Sequence, residues 1–360
     1  DSEMRKAMDR AKESLAAAHA QKTAAGRAKA FDAALGAISA AEQKMLFQHG
    51  LQIANHERFR SQLRFGLVVD ASILQRLDHY PRIAQAIKAS GANWVQLVFR
   101  SNPEDFAYAD LHSFNEYDSI VKELRTAGLK IMGTVLDTGQ WPRDLTAPAY
   151  TERVKNLVIH YKDDIRSWEI GSELNGDWLG GTAAPLAPDQ VYRIYSAGAA
   201  KVKEIDPELE TVASLYWWEG TSPDDAHALF NWLRHYSRLG FGRNLDVLSI
   251  SLQPDDNPVG VALESIFERV SQELPDKRLL LGSLGYVEKD QLQGYWWFRP
   301  DDVPAAREDL AAFLITAASA LPRCLGGGFW WQTLDQMIPD KGRPTDLYRA
   351  YADALQRLGR

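Results

Sequence analysis

The chain has 360 residues, of which 45% are hydrophobic and 25% charged, a composition typical of a globular protein. The net charge is −7 and both signs are spread along the chain, which excludes the basic stripe that binds nucleic-acid phosphates. The sequence contains no run of about 18 apolar residues, so no membrane span is predicted. The single cysteine, Cys324, excludes an internal disulfide.

Residues 1–62 differ from the rest of the chain in being rich in Ala, Lys, Arg, Glu and Gln, with no Pro. Apolar side chains recur there at alternating intervals of four and three residues, beginning with Met4, Met8 and Ala11, which predicts amphipathic helix. Residues 22–26 form a break between two helices. We interpret residues 1–62 as a helical hairpin packed on a neighbouring domain; the alternative is an arm that binds a helical partner.

From residue 63 to residue 360, short apolar runs rich in β-branched residues alternate with helical patterns. Helices are predicted at 83–90, 114–127, 150–161 and 346–358, and strands at 64–70, 93–99, 129–135, 166–172, 210–216, 246–252, 278–284 and 326–332. Eight strands, each followed by a helix, predict an α/β fold of the (β/α)8 TIM-barrel type. An open doubly wound sheet would carry a glycine-rich phosphate loop after its first strand, where this sequence reads VVDASIL.

The exit of the fourth predicted strand carries a candidate catalytic residue, Glu173. Active sites of this fold lie at the carboxyl ends of the strands, and alternation along a strand places Glu169 and Glu173 on the same side. Trp168 and Trp178 are expected to wall the Glu173 carboxyl, and desolvation there would raise its pKa, as a general acid requires. The alternative is a glutamate that caps the following turn.

The run W-E-I-G-S-E-L-N-G around Glu173 resembles the acid/base motif W-E-x-x-N-E-P-N of the retaining (β/α)8 glycoside hydrolases. Residues 114–133 and the segment from Tyr161 into the fourth strand are similar to family 39 and its exopolysaccharide-cluster relatives. The resemblance extends over about residues 63–340 in strand order and is specific only around strands three and four. It implies a retaining glycosidase in which Glu173 is the acid/base and a glutamate at the end of strand seven is the nucleophile.

Strand seven departs from that pattern, because the position of the nucleophile holds Ser283 within L-L-L-G-S-L-G-Y. A serine hydroxyl cannot replace the carboxylate, and no histidine in the motif would activate it. We consider three explanations. Ser283 is an engineered substitution of a native glutamate, which is the one we favour; or the protein has lost hydrolysis and kept glycan binding; or another carboxylate serves, with Asp137, Asp255, Asp256 and Glu288 as candidates.

Three further positions differ from the family pattern. Ser172 stands where the family has the asparagine that contacts the sugar 2-hydroxyl, and a serine can still donate a hydrogen bond. Gln253 stands in the strand-six motif, in place of the tyrosine that orients the nucleophile. Gln96 stands at the usual arginine of strand two, with Arg100 nearby at the strand exit. These changes indicate a divergent subfamily or a non-hydrolytic relative.

Aromatic pairs follow three predicted strands and suggest a glycan cleft, although each alone is also typical of a core. Strand eight ends in Trp330 and Trp331, of which we expect Trp330 to point into the barrel mouth. The other expected substrate-binding residues are Trp217 and Trp218 after strand five, Asn175 just past Glu173, and Tyr286 just past Ser283. Asp177 and the aromatic segment 295–298 are weaker candidates; for Asn175 and Asp177 the alternative is turn formation.

No His/Cys/Asp cluster has the spacing of metal ligands, and no phosphate loop is present, so no metal and no cofactor are expected. The first residue is Asp1 and no signal-peptide pattern follows, so we expect a periplasmic or secreted protein whose targeting segment is not in this chain.

The predicted function is a glycosidase or transglycosidase acting on an oligo- or polysaccharide such as a β-glucan. The alternatives are a non-hydrolytic glycan-binding barrel and a scaffold in which the N-terminal helices dominate.

Overall fold

The structure is a computed structural model that describes residues 2–56, 62–76, 79–100, 115–254, 256–257, 259, 262–286, 303–339 and 343–359. Its strands are β1 (Arg64–Val69), β2 (Trp94–Val98), β3 (Lys130–Thr134), β4 (Ser167–Gly171), β5 (Glu210–Tyr216), β6 (Val247–Leu252), β7 (Arg278–Leu284) and β8 (Cys324–Trp330). Its α-helices are α1 (Ser2–Ala20), α2 (Ala24–Asn55), α3 (Tyr80–Ala89), α4 (Asp118–Thr126), α5 (Ala147–Tyr161), α6 (Pro188–Ile205), α7 (Leu229–Arg238), α8 (Leu263–Glu273), α9 (Val303–Ala318) and α10 (Asp346–Arg357).

The eight strands form a closed, all-parallel barrel in which each strand pairs with its neighbours in sequence and β8 pairs with β1. The predicted (β/α)8 barrel is therefore confirmed, and every strand lies within two residues of its predicted position. The short apolar runs located the strands because each strand buries one face in the barrel and the other under the helices.

The barrel interior combines an apolar set with charged side chains at the amino-terminal end of the strands. The interior apolar side chains are Val68, Val98, Met132, Val212, Val247, Leu280 and Phe329. At the end of the barrel where strands begin, Glu210 accepts hydrogen bonds from Arg64 at 2.7 Å and from Arg278 at 2.8 Å. Burial raises the pKa of Glu210, but the hydrogen bonds and charge of Arg64 outweigh it and hold the pKa below its ordinary value. This ion cluster closes the end of the barrel opposite the expected active site.

Two helices precede the barrel, and a short break separates them at the predicted place. Thr23 caps α2 by accepting a hydrogen bond from the Gly26 N–H at 3.0 Å. Gly50 of α2 lies directly against Thr316 of α9, where a Cβ atom would come within 2.1 Å of the Thr316 carbonyl oxygen, so α2 packs closely on the barrel. The hairpin also leaves large apolar side chains exposed, namely Met8, Leu15, Leu35, Ile38 and Met45. A helical partner for residues 1–62 stays a prediction.

No helix in the described part of the chain is long and apolar enough to cross a membrane.

We predict that Glu210→Gln lowers the free energy of unfolding by about 3 kcal/mol, because it leaves Arg64 without its charge partner at a site where its side chain is 9% exposed. Urea denaturation would show a lower midpoint with an unchanged m value. The exposed neighbour Glu208 supplies the control: Glu208→Gln should change stability by less than about 0.5 kcal/mol. Equal stability of the two variants would contradict the structural role of Glu210.

Candidate active site

A cavity of about 340 Å³ opens at the carboxyl ends of strands β3 to β8, where barrel enzymes place their chemistry. A cavity of about 540 Å³ lies beside α6 and α7, and its lining includes none of Glu173, Gln253, Ser283 and Trp331. The residues that line the barrel-mouth cavity are Asp137, Thr138, Gly139, Ser172, Glu173, Trp178, Tyr216, Gln253, Asp256, Ser283 and Trp331.

Glu173 lies on the cavity wall just past the end of β4, as predicted from the alternation along that strand. Its φ angle is 47°, a left-handed conformation that is uncommon for a residue with a side chain. The Glu173 N–H donates to the Ser214 hydroxyl at 2.9 Å, and the Leu174 N–H donates to the Ser214 carbonyl at 3.0 Å. These bonds to β5 hold the turn in a strained shape, a feature that clusters at functional sites.

The environment of Glu173 favours its protonated form. Burial raises the pKa of Glu173 to about 8; the Ser251 hydroxyl acts in the opposite direction, and the charges of Asp137 and Glu169 raise it further. A carboxyl with this pKa still carries its proton at neutral pH and is able to donate it, which is the property required of a general acid.

A second carboxylate, Glu169, lies deeper in the barrel and is 3% exposed. Its Oε2 accepts hydrogen bonds from Gln96 Nε2 at 2.8 Å and from Thr134 Oγ1 at 2.7 Å. Burial raises the pKa of Glu169 to about 7, with the Thr134 hydroxyl the first of the hydrogen bonds that oppose it. The Ser283 hydroxyl donates to Gln96 Oε1 at 3.4 Å, so one polar network joins β2, β3, β4 and β7.

Two aspartates complete the acidic lining of the cavity. Asp256 Oδ2 accepts hydrogen bonds from the Tyr216 hydroxyl and from Asn257 Nδ2, both at 2.8 Å. Asp137 follows β3; its Oδ1 is enclosed and has no hydrogen-bond partner. Burial raises the pKa of Asp137 to about 6, which the backbone N–H groups of Thr138 and Gly139 partly oppose. None of the described residues that line the cavity is a lysine or an arginine, so the acidic groups face no cation there.

Aromatic side chains form part of the same wall. Trp178 stacks on Trp218, with ring centroids 5.4 Å apart, and meets the Tyr216 ring edge-on at 5.3 Å. The indole N–H of Trp178 donates to Thr138 Oγ1 at 2.6 Å, which ties the loop after β3 to the loop after β4. Trp331 contributes a further indole to the lining from the end of β8.

The predicted catalytic and substrate-binding residues that line this cavity are Ser172, Glu173, Gln253, Ser283 and Trp331, and the candidate carboxylates Asp137 and Asp256 and the expected wall residue Trp178 line it too. The first five come from four strand exits that are far apart in sequence, so closure of the barrel is what brings them together. Trp218 lies behind Trp178 in the aromatic stack.

The expectation that Trp330 points into the barrel mouth is wrong. Trp330 is fully buried in the outer core and its indole N–H donates to Gln336 Oε1 at 3.0 Å. Phe329 and Trp331 face inward instead. Inward-facing side chains of β8 alternate from Leu325 through Phe329 to Trp331, which places Trp330 on the outer side of the barrel.

Asn175 and Tyr286 also need correction, because both are buried away from the cavity. Asn175 is 1% exposed; its amide N–H₂ donates to the carbonyls of Tyr216 and His227, and its carbonyl accepts from the Tyr216 N–H at 2.7 Å. It therefore anchors the exit of β5, in keeping with the turn-forming alternative. Tyr286 is 2% exposed and packs in the outer core, with its ring beneath the Arg307 guanidinium.

Arg100, Trp217 and Trp168 likewise take structural positions. Arg100 pairs with Glu116 at 2.6 Å and is not part of the cavity lining. Trp217 meets the Phe230 ring of α7 at 6.2 Å, and Trp168 is fully buried against Phe99 on the outer face of β4. Asp255, Glu288 and the segment 295–298 lie outside the described residues.

Sequence reasoning did not assign Tyr216 or Thr138 to the site. Tyr216 is the last residue of β5 and shares its parity with Ser214, so the alternation rule would have pointed to it. Thr138 carries no such signal, since it lies in a loop whose position depends on its contact with Trp178. Among the described residues, no group of three or more His, Cys, Asp or Glu could hold a metal ion.

No protein-family model matches the chain, and no curated protein matches it in sequence. Solved structures do match it in fold. They include a GH5_18 protein from Streptomyces cattleya in complex with Manβ1-4GlcNAc, at 15% identity and a TM-score of 0.59 over 82% of this chain and 80% of that one. Xylanase 10B from Thermotoga maritima matches at 12% identity and a TM-score of 0.54, over 82% and 95% of the two chains. A glucosidase from Croceicoccus marinus matches at 19% identity and a TM-score of 0.55 over 77% of this chain.

The chain shares the barrel fold of these glycoside hydrolases. The match spans only 62% of the Croceicoccus marinus glucosidase, but 99% of a fungal β-1,4-galactanase that aligns with a TM-score of 0.58 at 15% identity. Sequence identities this low show a shared fold and nothing about the reaction, so the chemistry of this chain depends on the residues of its own cavity.

We predict that Glu173→Gln stabilises the protein at pH 8 by up to about 4 kcal/mol and leaves its stability nearly unchanged at pH 4. The pKa of Glu173 is raised from 4.5 to about 8 by folding. Between those values the folded chain holds a proton that the unfolded chain releases, so wild-type stability falls as the pH rises. Urea denaturation of both proteins at the two pH values measures the difference. Asp177→Asn serves as the control for removing one negative charge nearby, and a pH-independent effect of Glu173→Gln would contradict the prediction.

Proposed function

We propose that this chain cleaves or transfers glycosidic bonds of an oligo- or polysaccharide, with Glu173 as the proton donor to the leaving oxygen. The observation that carries the proposal is the placement of Glu173 at the exit of β4, on the wall of a cavity that raises its pKa to about 8. A proton held at neutral pH and directed into a binding cavity is what departure of a sugar alkoxide requires.

The chemistry of the cavity wall supports a sugar as the ligand. Trp178 and Trp331 offer flat apolar faces on which the C–H face of a sugar ring packs. The carboxylates of Asp137 and Asp256 and the amide of Gln253 lie in the same lining, and these polar groups are of the kind that binds sugar hydroxyls. By analogy with the xylanase and galactanase that share this fold, we expect the ligand of this cavity to be a glycan.

The resemblance to retaining enzymes would add a carboxylate nucleophile on strand seven, with two carboxyl groups about 5–5.5 Å apart. Ser283 occupies that place and bonds to Gln96, which itself replaces the arginine of the family pattern. The family pattern has a charged arginine and a charged glutamate at these two positions. This chain has Gln96 and Ser283, which are neutral and hydrogen-bonded to each other. A glutamate at 283 would add another negative charge to a cavity whose described lining has no cation. This counts against our interpretation of Ser283 as an engineered substitution, which stays a prediction.

A second candidate function is binding of a glycan without cleavage. The observation that favours it is Ser283, since the cavity keeps its aromatic and hydrogen-bonding wall while the expected nucleophile is missing. In that case glycans would bind with Glu173 intact and would not be consumed, and Ser283→Glu would leave the protein inert.

We predict that Glu173→Gln lowers kcat/KM for a polysaccharide substrate by about 10²–10⁴-fold, because the amide cannot donate the proton. Wild-type kcat/KM should fall above about pH 8, where Glu173 loses its proton. The measurement is release of reducing sugar from a panel of xylan, galactan, mannan, β-glucan and bacterial exopolysaccharides. Glu219→Gln, on the loop after β5, is the matched control and should retain activity.

Calorimetric titration of the same oligosaccharides separates the two candidates. If Glu173→Gln binds like the wild type but does not cleave, the enzyme proposal stands. If the wild type binds and never cleaves any member of the panel, the binding function replaces it.

A further inference from the structure

Glu173 alone does not complete a glycosidase. After the leaving oxygen is protonated, the anomeric carbon must be attacked by a nucleophile, which is either a carboxylate or a water activated by a base. Ser283 cannot act as either, since its hydroxyl is neutral and bonds to the amide of Gln96. Another group on the cavity wall must take this role if the proposed function holds.

The carboxylates near the cavity differ in what they are free to do. Glu169 is 3% exposed and its Oε2 accepts two hydrogen bonds from within the barrel. Asp256 Oδ2 is bound by Tyr216 and Asn257. Among the described acidic residues of the lining, Asp137 has no partner from another described side chain; its Oδ1 is enclosed, which leaves Oδ2 as the oxygen able to meet a water in the cavity.

The position of Asp137 suits a residue that acts together with Glu173. Thr134 of β3 pairs directly with Glu169 of β4, so the residues that follow these strands emerge side by side at the rim. Asp137 follows Thr134 by three positions and Glu173 follows Glu169 by four, and both line the same cavity. The loop that carries Asp137 is tied down by the Trp178 indole through Thr138, which limits its freedom to move away.

We propose that Asp137 is the second catalytic carboxylate of this site and acts as the general base for the attacking water. This inference depends on the proposed function. In the step it describes, Asp137 accepts one proton from water while the water oxygen bonds to the anomeric carbon. The glycosidic C–O bond breaks and its electron pair goes to the leaving oxygen, which takes the proton of Glu173. The result is a single displacement that inverts the anomeric configuration.

The ionisation of the two groups fits these roles. Burial raises the pKa of Asp137 to about 6, with the Asp70 charge adding to it, and burial raises the pKa of Glu173 to about 8, with Asp137 and Glu169 adding to it. Between about pH 6 and pH 8, Asp137 is therefore ionised while Glu173 is protonated, the state in which one accepts and the other donates a proton. We expect kcat/KM to follow a bell-shaped profile over that range.

The test compares wild type with Asp137→Asn and Ser283→Glu, and uses Asp144→Asn on the exposed loop before α5 as the matched control. We expect Asp137→Asn to lose at least 100-fold in kcat/KM and the acid limb of the pH profile, with oligosaccharide binding by calorimetry retained. The loss should persist on a dinitrophenyl glycoside, whose leaving group needs no proton, whereas Glu173→Gln should recover activity on it. Ser283→Glu should not increase the rate, and NMR of the first-formed sugar should show the inverted anomer.

Azide rescue tests the role of Asp137 in a second variant, so that the conclusion does not depend on the stability of Asp137→Asn alone. In Asp137→Ala, azide needs no base and should restore consumption of the dinitrophenyl glycoside by forming a glycosyl azide. The inference is overturned if Asp137→Asn keeps activity within about threefold of wild type, if the product retains its configuration, or if Ser283→Glu gains 100-fold or more. In those cases loss of activity in Glu173→Gln still upholds the proposed function. A wild type that cleaves no substrate rejects both.

Discussion

The removal of carboxyl groups from water at the barrel mouth is the physical constraint on which the rest of this structure depends. The charge of Asp137 raises the pKa of both Glu169 and Glu173, the charge of Glu169 raises that of Glu173, and burial is the largest cause for all three carboxyls. No lysine or arginine among the described lining residues offsets them. The cavity therefore favours protonated carboxyls at neutral pH, and this preference is the source of any acid chemistry the protein performs.

Such a cluster destabilises the fold, and the remainder of the barrel has to hold it in place. Hydrogen bonds from Gln96 and Thr134 fix Glu169, and two bonds to Ser214 hold the strained turn at Glu173. Asn175 fastens that turn to Tyr216 at the end of β5 through two buried hydrogen bonds and to the His227 carbonyl through a third. At the opposite end, the ion cluster of Arg64, Glu210 and Arg278 keeps charges compensated. Among the described residues, buried carboxyls without a countercharge thus lie at the carboxyl ends of the strands, where barrel enzymes have their active sites, a distribution typical of a stability–function trade-off.

Much of this was predictable from local sequence patterns. The eight strands followed from apolar runs of the right length, and the position of Glu173 followed from its parity with Glu169. The errors came from positions where the parity of a strand was misassigned or where a side chain turns toward the backbone. In β8, Leu325, Phe329 and Trp331 face inward in regular alternation, so Trp331 rather than Trp330 faces the cavity. Asn175 follows Glu173 closely in sequence, but its amide turns toward the backbone of β5.

The sequence by itself determined the barrel, its strand order and the residue types at each strand exit, because periodicity and alternation are properties of a chain's nearest neighbours. Tertiary structure alone decided which of those side chains share a cavity and which acceptors remain unpaired. Asp137 and Asp256 are both acidic residues past a strand end, yet Tyr216 and Asn257 bind Asp256, whereas one oxygen of Asp137 is enclosed and has no hydrogen-bond partner. That difference arises from contacts between segments far apart in sequence, and it becomes definite only when the barrel closes and excludes water.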